Sequence, residues 1–216
     1  MSYSKRLMAN DCRHLMAHFG YEQFAVLAHD RGARVAHRLA VDHPQAVKKL
    51  MLLDLAPTLA MYEQTSQTFA SAYWHWFFLI QAAPFPESLI NANPLAYLRK
   101  TMRAAVGEFN PHAWAEYERC IQNPETVRAI CEDYRAAASI DLQHAREDIA
   151  QQRWIECPLH VLWGQHGVIQ QCFDPLTEWR KLSRDPQQVT GHALDCGHYV
   201  PEEAPTILLQ AVRSFF

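Results

Sequence analysis

Phe24-Ala25-Val26-Leu27-Ala28-His29-Asp30-Arg31-Gly32-Ala33-Arg34 is the stretch from which the rest of the chain is read. An apolar run containing β-branched Val26 stops at a short polar turn closed by Gly32, and a helical pattern follows at once through Val35, Leu39 and Ala40. The spacing predicts strand, sharp turn, helix. A side chain at the apex of such a turn is pushed out of the backbone into solvent, and the amides of the helix start are aimed at whatever reacts there. Asp30 occupies the apex. Two readings of it stand side by side: a reactive carboxylate, or an ordinary helix N-cap, which strand-to-helix turns favour.

Outward from this stretch the same alternation continues. Upstream, Leu7, Met8, Leu15, Met16 and Phe19 recur at helical spacing, and Gly20 follows where a helix C-cap belongs. Downstream, Asp42-His43-Pro44 breaks the chain, and the strand Leu50-Met51-Leu52-Leu53 ends at Asp54, with Pro57 stopping any continuation. Pro158 to Gly164 and Gln188 to Leu194 read as two more strands, and Ile207, Leu208, Val212 and Phe215 mark an amphipathic terminal helix. Strands alternating with helices predict an α/β fold of parallel βαβ units, whose ligand sites gather at the carboxyl ends of the strands. Asp30 and Asp54 both occupy such ends. Between Met61 and Gln152 the pattern is helical only, rich in aromatics and broken at Pro84, Pro86, Pro94, Pro111 and Pro124, as an inserted helical cap would be. The expected division is 1–60 and 153–216 for the two parts of the core and 61–152 for the cap.

Composition narrows the function. With 216 residues, 49% hydrophobic and 20% charged, the chain has a core to bury and reads as one domain carrying an inserted subdomain. A net charge of −3 with scattered Lys and Arg gives no basic stripe, so nucleic acid is not an expected partner. No apolar run approaches the length of a bilayer span, and Met1 to Arg6 leads into no signal-like segment; the expectation is a cytoplasmic protein with no membrane partner. Six cysteines lie far apart with no CxxC pair and read as reduced thiols. Twelve histidines invite a metal, but no HExxH occurs and His14 with His18 is a lone helical pair, so neither metal nor cofactor is expected.

Ala28-His29-Asp30-Arg31-Gly32 resembles the nucleophile elbow of the α/β-hydrolases, small-x-nucleophile-x-Gly, with aspartate where esterases carry serine and Ala28 where glycine is usual. Aspartate there is similar to the dehalogenase and epoxide-hydrolase branch, and the added Arg31 and Arg34 resemble the fluoroacetate (haloacetate) dehalogenase family in particular. Gly197-His198, followed by Pro201-Glu202-Glu203, resembles the family's histidine loop; this favours His198 as the base over His192, which falls within the last strand. Many relatives carry the orienting acid after the strand that here ends at Trp163-Gly164, but Gln165-His166-Gly167 offers no carboxylate. The resemblance therefore moves that role to Asp54. Asp174 is the fallback, its ordinary reading in Phe173-Asp174-Pro175 being a turn or N-cap residue. His75 and Trp76, within Tyr73-Trp74-His75-Trp76-Phe77-Phe78, match the family's halide pocket together with Tyr134, within Cys131-Glu132-Asp133-Tyr134-Arg135-Ala136. The ordinary reading of the aromatic run is core packing, preferred for Phe77 and Phe78.

The resemblance implies a partial α/β-hydrolase fold with an inserted helical cap, and a two-step hydrolysis of a small halogenated carboxylate. Asp30 would displace the halide and form an ester; His198, oriented by Asp54, would activate the water that cleaves it. Arg31 and Arg34, one helical turn apart, would hold the substrate carboxylate with the two-pronged donor set of a guanidinium. Relatives begin with several strands ahead of the opening helix, including a His-Gly-Phe-Pro-like loop that supplies an oxyanion-hole amide. None precedes Met1, so the expectation is an N-terminally truncated chain whose elbow strand has an open apolar edge, inviting aggregation or pairing with a second copy as a homodimer. The rival enzymes are an epoxide hydrolase or a haloalkane dehalogenase, which take neutral substrates. Outside enzymes, the rival is a non-catalytic remnant that binds small carboxylates through Arg31 and Arg34.

Overall fold

Four parallel strands make the sheet: β1 (Phe24–His29), β2 (Val47–Leu53), β3 (Leu159–Gly164) and β4 (Val189–Leu194), side by side in that order. The computed structural model describes residues 3–102 and 109–216; Met1, Ser2 and residues 103–108 of the expected cap lie outside the described residues. Helix α1 (Lys5–His18) precedes β1, and α2 (Asp30–Asp42) joins β1 to β2. Between β2 and β3 come α3 (Thr58–Glu63), α4 (Gln67–Ala72), α5 (Trp74–Leu79), α6 (Phe85–Ala92), α7 (Pro94–Thr101), α8 (Pro111–Ile121), α9 (Pro124–Ala137) and α10 (Ile140–Ala150). Helices α11 (Val168–Cys172) and α12 (Pro175–Arg180) connect β3 to β4, and α13 (Val200–Glu203) and α14 (Pro205–Phe215) follow it.

Right-handed crossovers put every connection of a sequentially ordered parallel sheet on one face. The two apolar clusters reflect this. On the first face, Leu50, Leu52, Leu159 and Val161 meet Val35 and Leu39 of α2 and continue into Phe69 and Trp76 of the helical insertion. On the second, Met51, Leu53, Leu162 and Leu194 meet Leu208, with Val212 and Phe215 packed against them from α14. Adjacent residues of a strand point to opposite faces. Hence Leu50 to Leu53, covered on both sides and no more than 1% exposed, can be an unbroken apolar run. Truncating any one of them to alanine costs about 2–5 kcal/mol in a core of this kind. At the sheet edge β1 has no outer neighbour among the described residues, and Leu27 remains 43% exposed.

Local chemistry explains most of the boundaries. Ser4 caps α1 by accepting the Leu7 amide, and Gly20, at φ +82°, turns the chain after it. The apolar spacing of α1 marks a helix but not its buried face: Lys5 and Ala9 are buried, whereas Leu7, Leu15 and Phe19 are exposed. The prolines at 94, 111 and 124 open α7, α8 and α9, each preceded by an asparagine whose side chain caps the helix. They separate helices by starting new ones. Helix α3 spans the expected boundary at residue 60. Two glycines permit close approach of backbones: a Cβ on Gly191 would lie 1.9 Å from the Val161 carbonyl oxygen, and one on Gly164 would lie 2.0 Å from that of Gly197. The second contact seats the loop that carries His198 against the end of β3.

Candidate active site

β1 and β2 pair with His29 opposite Leu53, so the next residues, Asp30 and Asp54, leave the sheet side by side. Both have left-handed backbones, with φ of 45° and 51°. Aspartate tolerates this region better than most side chains, but holding it there costs on the order of 1–3 kcal/mol. Asp30 is the first residue of α2; His29 is the N-cap, and it makes no side-chain capping bond. The capping reading of Asp30 is thus set aside by the backbone. Its carboxylate is 34% exposed, and Oδ2 lies 3.7 Å from His198 Nε2.

Asp54 is the anchor of the group. Its fully buried carboxylate accepts the Gly164 amide at 2.8 Å through Oδ1 and meets His198 Nδ1 at 2.5 Å through Oδ2. A carboxylate fixed on one side by backbone holds the ring that it bonds on the other. The His198 carbonyl receives a hydrogen bond from His29 Nε2 at 2.8 Å. Because a carbonyl only accepts, that nitrogen carries the proton. Burial, then the charge of His198, lowers the His29 pKa, so the ring is neutral.

Charge is matched across the group. Burial alone would lower the His198 pKa, but interaction with Asp30 and Asp54 outweighs it and holds the imidazole well above its ordinary value. For Asp30 burial works to raise the pKa; His198, then Arg34 and Arg31, overcome it and keep the carboxyl ionised. At neutral pH an imidazolium therefore stands between two carboxylates. That arrangement is stable only while both remain charged.

The two arginines lie beside Asp30 but are not free two-pronged donors. Arg31 gives Nε (2.5 Å) and Nη2 to the carboxylate of Asp133, and Nη2 also to the Asp133 carbonyl at 3.1 Å; its guanidinium sits 3.9 Å from the Tyr134 ring centroid. Arg34, 4% exposed, donates Nη1 to Thr58 Oγ1 at 2.8 Å and to the Ala56 carbonyl at 3.2 Å, with Nη2 on the sulfur of Met61 and the Trp76 ring 4.7 Å away. What remains is one buried nitrogen on each without a partner among the described residues: Nη1 of Arg31 and Nε of Arg34. Neither guanidinium therefore keeps two unpartnered nitrogens side by side: Arg31 keeps the Nη1 amino group and Arg34 the single Nε–H. A buried, unsatisfied cationic donor is costly, and an anion relieves it.

His75, Trp76 and Tyr134 lie near one another. The Tyr134 ring lies 5.9 Å from His75 and 6.2 Å from Trp76. Burial pushes the His75 pKa down to about 4, so its ring is neutral at pH 7, and it raises that of Tyr134, which stays a phenol. Trp76 is 1% exposed and offers its face to Arg34, within a cluster that includes Phe69, Tyr62 and Tyr73. Asp174 does what its ordinary reading says: it caps α12, accepting the Thr177 amide at 3.0 Å. His192 lies in β4, its ring 5.9 Å from that of His160. Among the described residues no cluster of His, Cys, Asp or Glu could hold a metal ion, no helix is long and apolar enough to cross a membrane, and no disulfide joins any of the cysteines.

The sequence reading missed three members. Asp133 was visible only as the neighbour of Tyr134; Lys5, which it binds, gave no signal at all. Tyr73 lies in the quoted aromatic run, and its ring is 6.4 Å from that of His198. Burial, then the charges of Asp54 and Asp30, raises its pKa, so it too remains a phenol.

With this geometry the chain belongs to the alpha/beta hydrolase fold family, whose model matches residues 2–205, and it is a hydrolase of that family. It is 34% identical to the fluoroacetate dehalogenase of Burkholderia sp over 218 aligned residues, which take in 99% of this chain and 70% of that protein. It is 28% identical to the soluble epoxide hydrolase of Corynebacterium sp. (strain C12), over 99% of this chain and 74% of that one. Among solved structures, a protein of Nostoc sp PCC 7120 provisionally assigned as an alpha/beta hydrolase superposes with a TM-score of 0.94 at 53% identity, covering 99% of this chain and 73% of its own. The epoxide hydrolase CorEH without ligand superposes at 0.88 and 27% identity, covering 100% and 75%.

Proposed function

We propose that this chain hydrolyses the carbon–halogen bond of haloacetates, fluoroacetate among them, through an ester on Asp30. The observation that carries the reading is the pair of buried guanidinium nitrogens, Nη1 of Arg31 and Nε of Arg34, that lack partners beside an ionised carboxylate. A neutral epoxide has no use for two such cations. A haloacetate needs them, because its own carboxylate must approach a negatively charged nucleophile.

In the first step an oxygen of Asp30 attacks the methylene carbon, the carbon–halogen bond breaks and halide leaves with the bonding pair. His75, Trp76 and Tyr134 are the groups assigned to the departing halide. The ester is neutral at Asp30, which removes one of the two charges holding the proton on His198, so the His198 pKa falls. In the second step neutral His198 takes a proton from water as its oxygen attacks the ester carbonyl. The tetrahedral intermediate expels the glycolate oxygen, which recovers that proton, and the new Asp30 carboxyl passes water's second proton to His198; the carboxylate and the imidazolium are thereby restored, and the proton that His198 shed when the ester formed is the one released to solvent. Asp54 holds the ring and stabilises the imidazolium each time it forms.

Purified protein assayed for fluoride release from fluoroacetate, chloride release from chloroacetate and diol formation from a small terminal epoxide tests the proposal. Halide release that is lost in Asp30→Asn is the expected result. Epoxide opening without halide release would overturn it in favour of an epoxide hydrolase in which Tyr134 protonates the leaving oxygen.

A further inference from the structure

Arg31 is carried by α2, but α9 aims it. Both groups on its guanidinium, the carboxylate and the backbone carbonyl, belong to Asp133 of α9. Asp133 is gripped in turn by Lys5 at the start of α1, whose ammonium pairs with Asp133 Oδ1 and lies 3.7 Å from Oδ2 of Asp141 on α10. Asp141 Oδ1 also accepts the Lys5 backbone N–H at 3.0 Å. Lysine is almost never this buried, at 4% exposure, without such partners. Two cations and two carboxylates from four helices thus close on each other, and Arg31 is neutralised before any ligand arrives. Nη1 is the nitrogen left over. Without Asp133, the other carboxylate acting on Arg31 is its sequence neighbour, Asp30.

We propose that Asp133, braced by Lys5, is a positioning residue that holds Arg31 off Asp30 and presents its Nη1 to the substrate carboxylate, so that α9 sets the preference for anions. The inference rests on the haloacetate reading above. An arginine already fixed by one carboxylate loses little freedom on binding a second, and that preorganisation is where the affinity comes from.

The test compares glycolate binding by titration calorimetry with KM and kcat for chloroacetate, in wild type, Asp133→Asn, Asp133→Glu and Lys5→Met, each checked by thermal melting. Asp133→Asn is expected to raise the glycolate Kd about tenfold or more, with KM rising in step and by more than kcat falls. Asp133→Glu is expected to recover part of the affinity, which a residue that merely props up the fold would not show. Lys5→Met moves Kd in the same direction by less. Wild-type Kd and KM in Asp133→Asn overturn the proposal and leave the haloacetate reading standing; should that variant not fold, a wild-type Kd in Lys5→Met, which removes the brace on Asp133, does the same. A wild-type protein that neither binds glycolate nor releases halide overturns the haloacetate reading and this inference with it.

Discussion

The carboxyl end of the sheet and the inner side of the helical insertion face each other across Asp30, and they are built on opposite terms. On the sheet side, Asp54 is bonded by the Gly164 amide and by His198, and the His198 carbonyl is held by His29. The groups there are paired with each other. On the insertion side, aromatic rings and a borrowed aspartate surround two arginines that each keep a buried nitrogen without a partner. The first is complete without substrate, and the second is not. The difference separates proposed roles: making and breaking bonds for the sheet side, choosing and aiming the substrate for the insertion side.

The largest effect that could break this division is at Asp30. Asp30→Asn, chosen because asparagine also tolerates the left-handed backbone, is expected to lower kcat by about 10⁴-fold or more while glycolate still binds, as measured by halide release and calorimetry. His198→Asn comes next. It is expected to release one halide per active site and stop, leaving a covalent ester visible by mass spectrometry of the intact protein; continued turnover would mean that another base serves the second step.

The pH dependence sharpens the same point in the wild type. Asp30 has its pKa lowered, so the first step persists as the medium is acidified. His198 has its pKa raised by its two carboxylates and loses part of that support in the ester, so the second step needs a pH high enough to deprotonate it. Rapid-quench measurements should therefore show the initial halide burst holding at acidic pH while steady-state turnover falls and the ester accumulates. A burst that falls in parallel with turnover would contradict the assigned roles.

Smaller effects belong to the insertion side. Arg34→Lys keeps the charge but loses Nε, and is expected to raise KM for chloroacetate about tenfold with a lesser change in kcat. Tyr134→Phe removes one phenol from the proposed halide pocket and leaves the ring beneath Arg31, so an effect of less than about tenfold is expected, greater for fluoroacetate than for chloroacetate. An equal effect on the two substrates would remove Tyr134 from the halide's surroundings.

What the sequence disclosed follows the range of the interactions involved. The elbow, the strand ends at Asp30 and Asp54 and the cap of α12 at Asp174 are local, written in a few consecutive residues, and the structure has them where the pattern placed them. The buried face of α1 was illegible because it is chosen by a salt link over 128 residues, from Lys5 to Asp133, against the apolar spacing of the helix itself. The arginines fell between these cases. Their positions on α2 were plain, but which of their nitrogens remain available depends on Asp133, Thr58 and Met61, and no spacing along α2 encodes that.

Arg31 is made by one part of the chain and directed by another, and this bears on how the protein could change over time. A graft of α9 from a relative would carry a different grip on Arg31 while leaving Asp30, Asp54 and His198 untouched. Under the proposed division of roles, such a chain would inherit its chemistry with the sheet and its choice of substrate with the insertion, so that exchange of helices alone would open an existing reaction to new substrates.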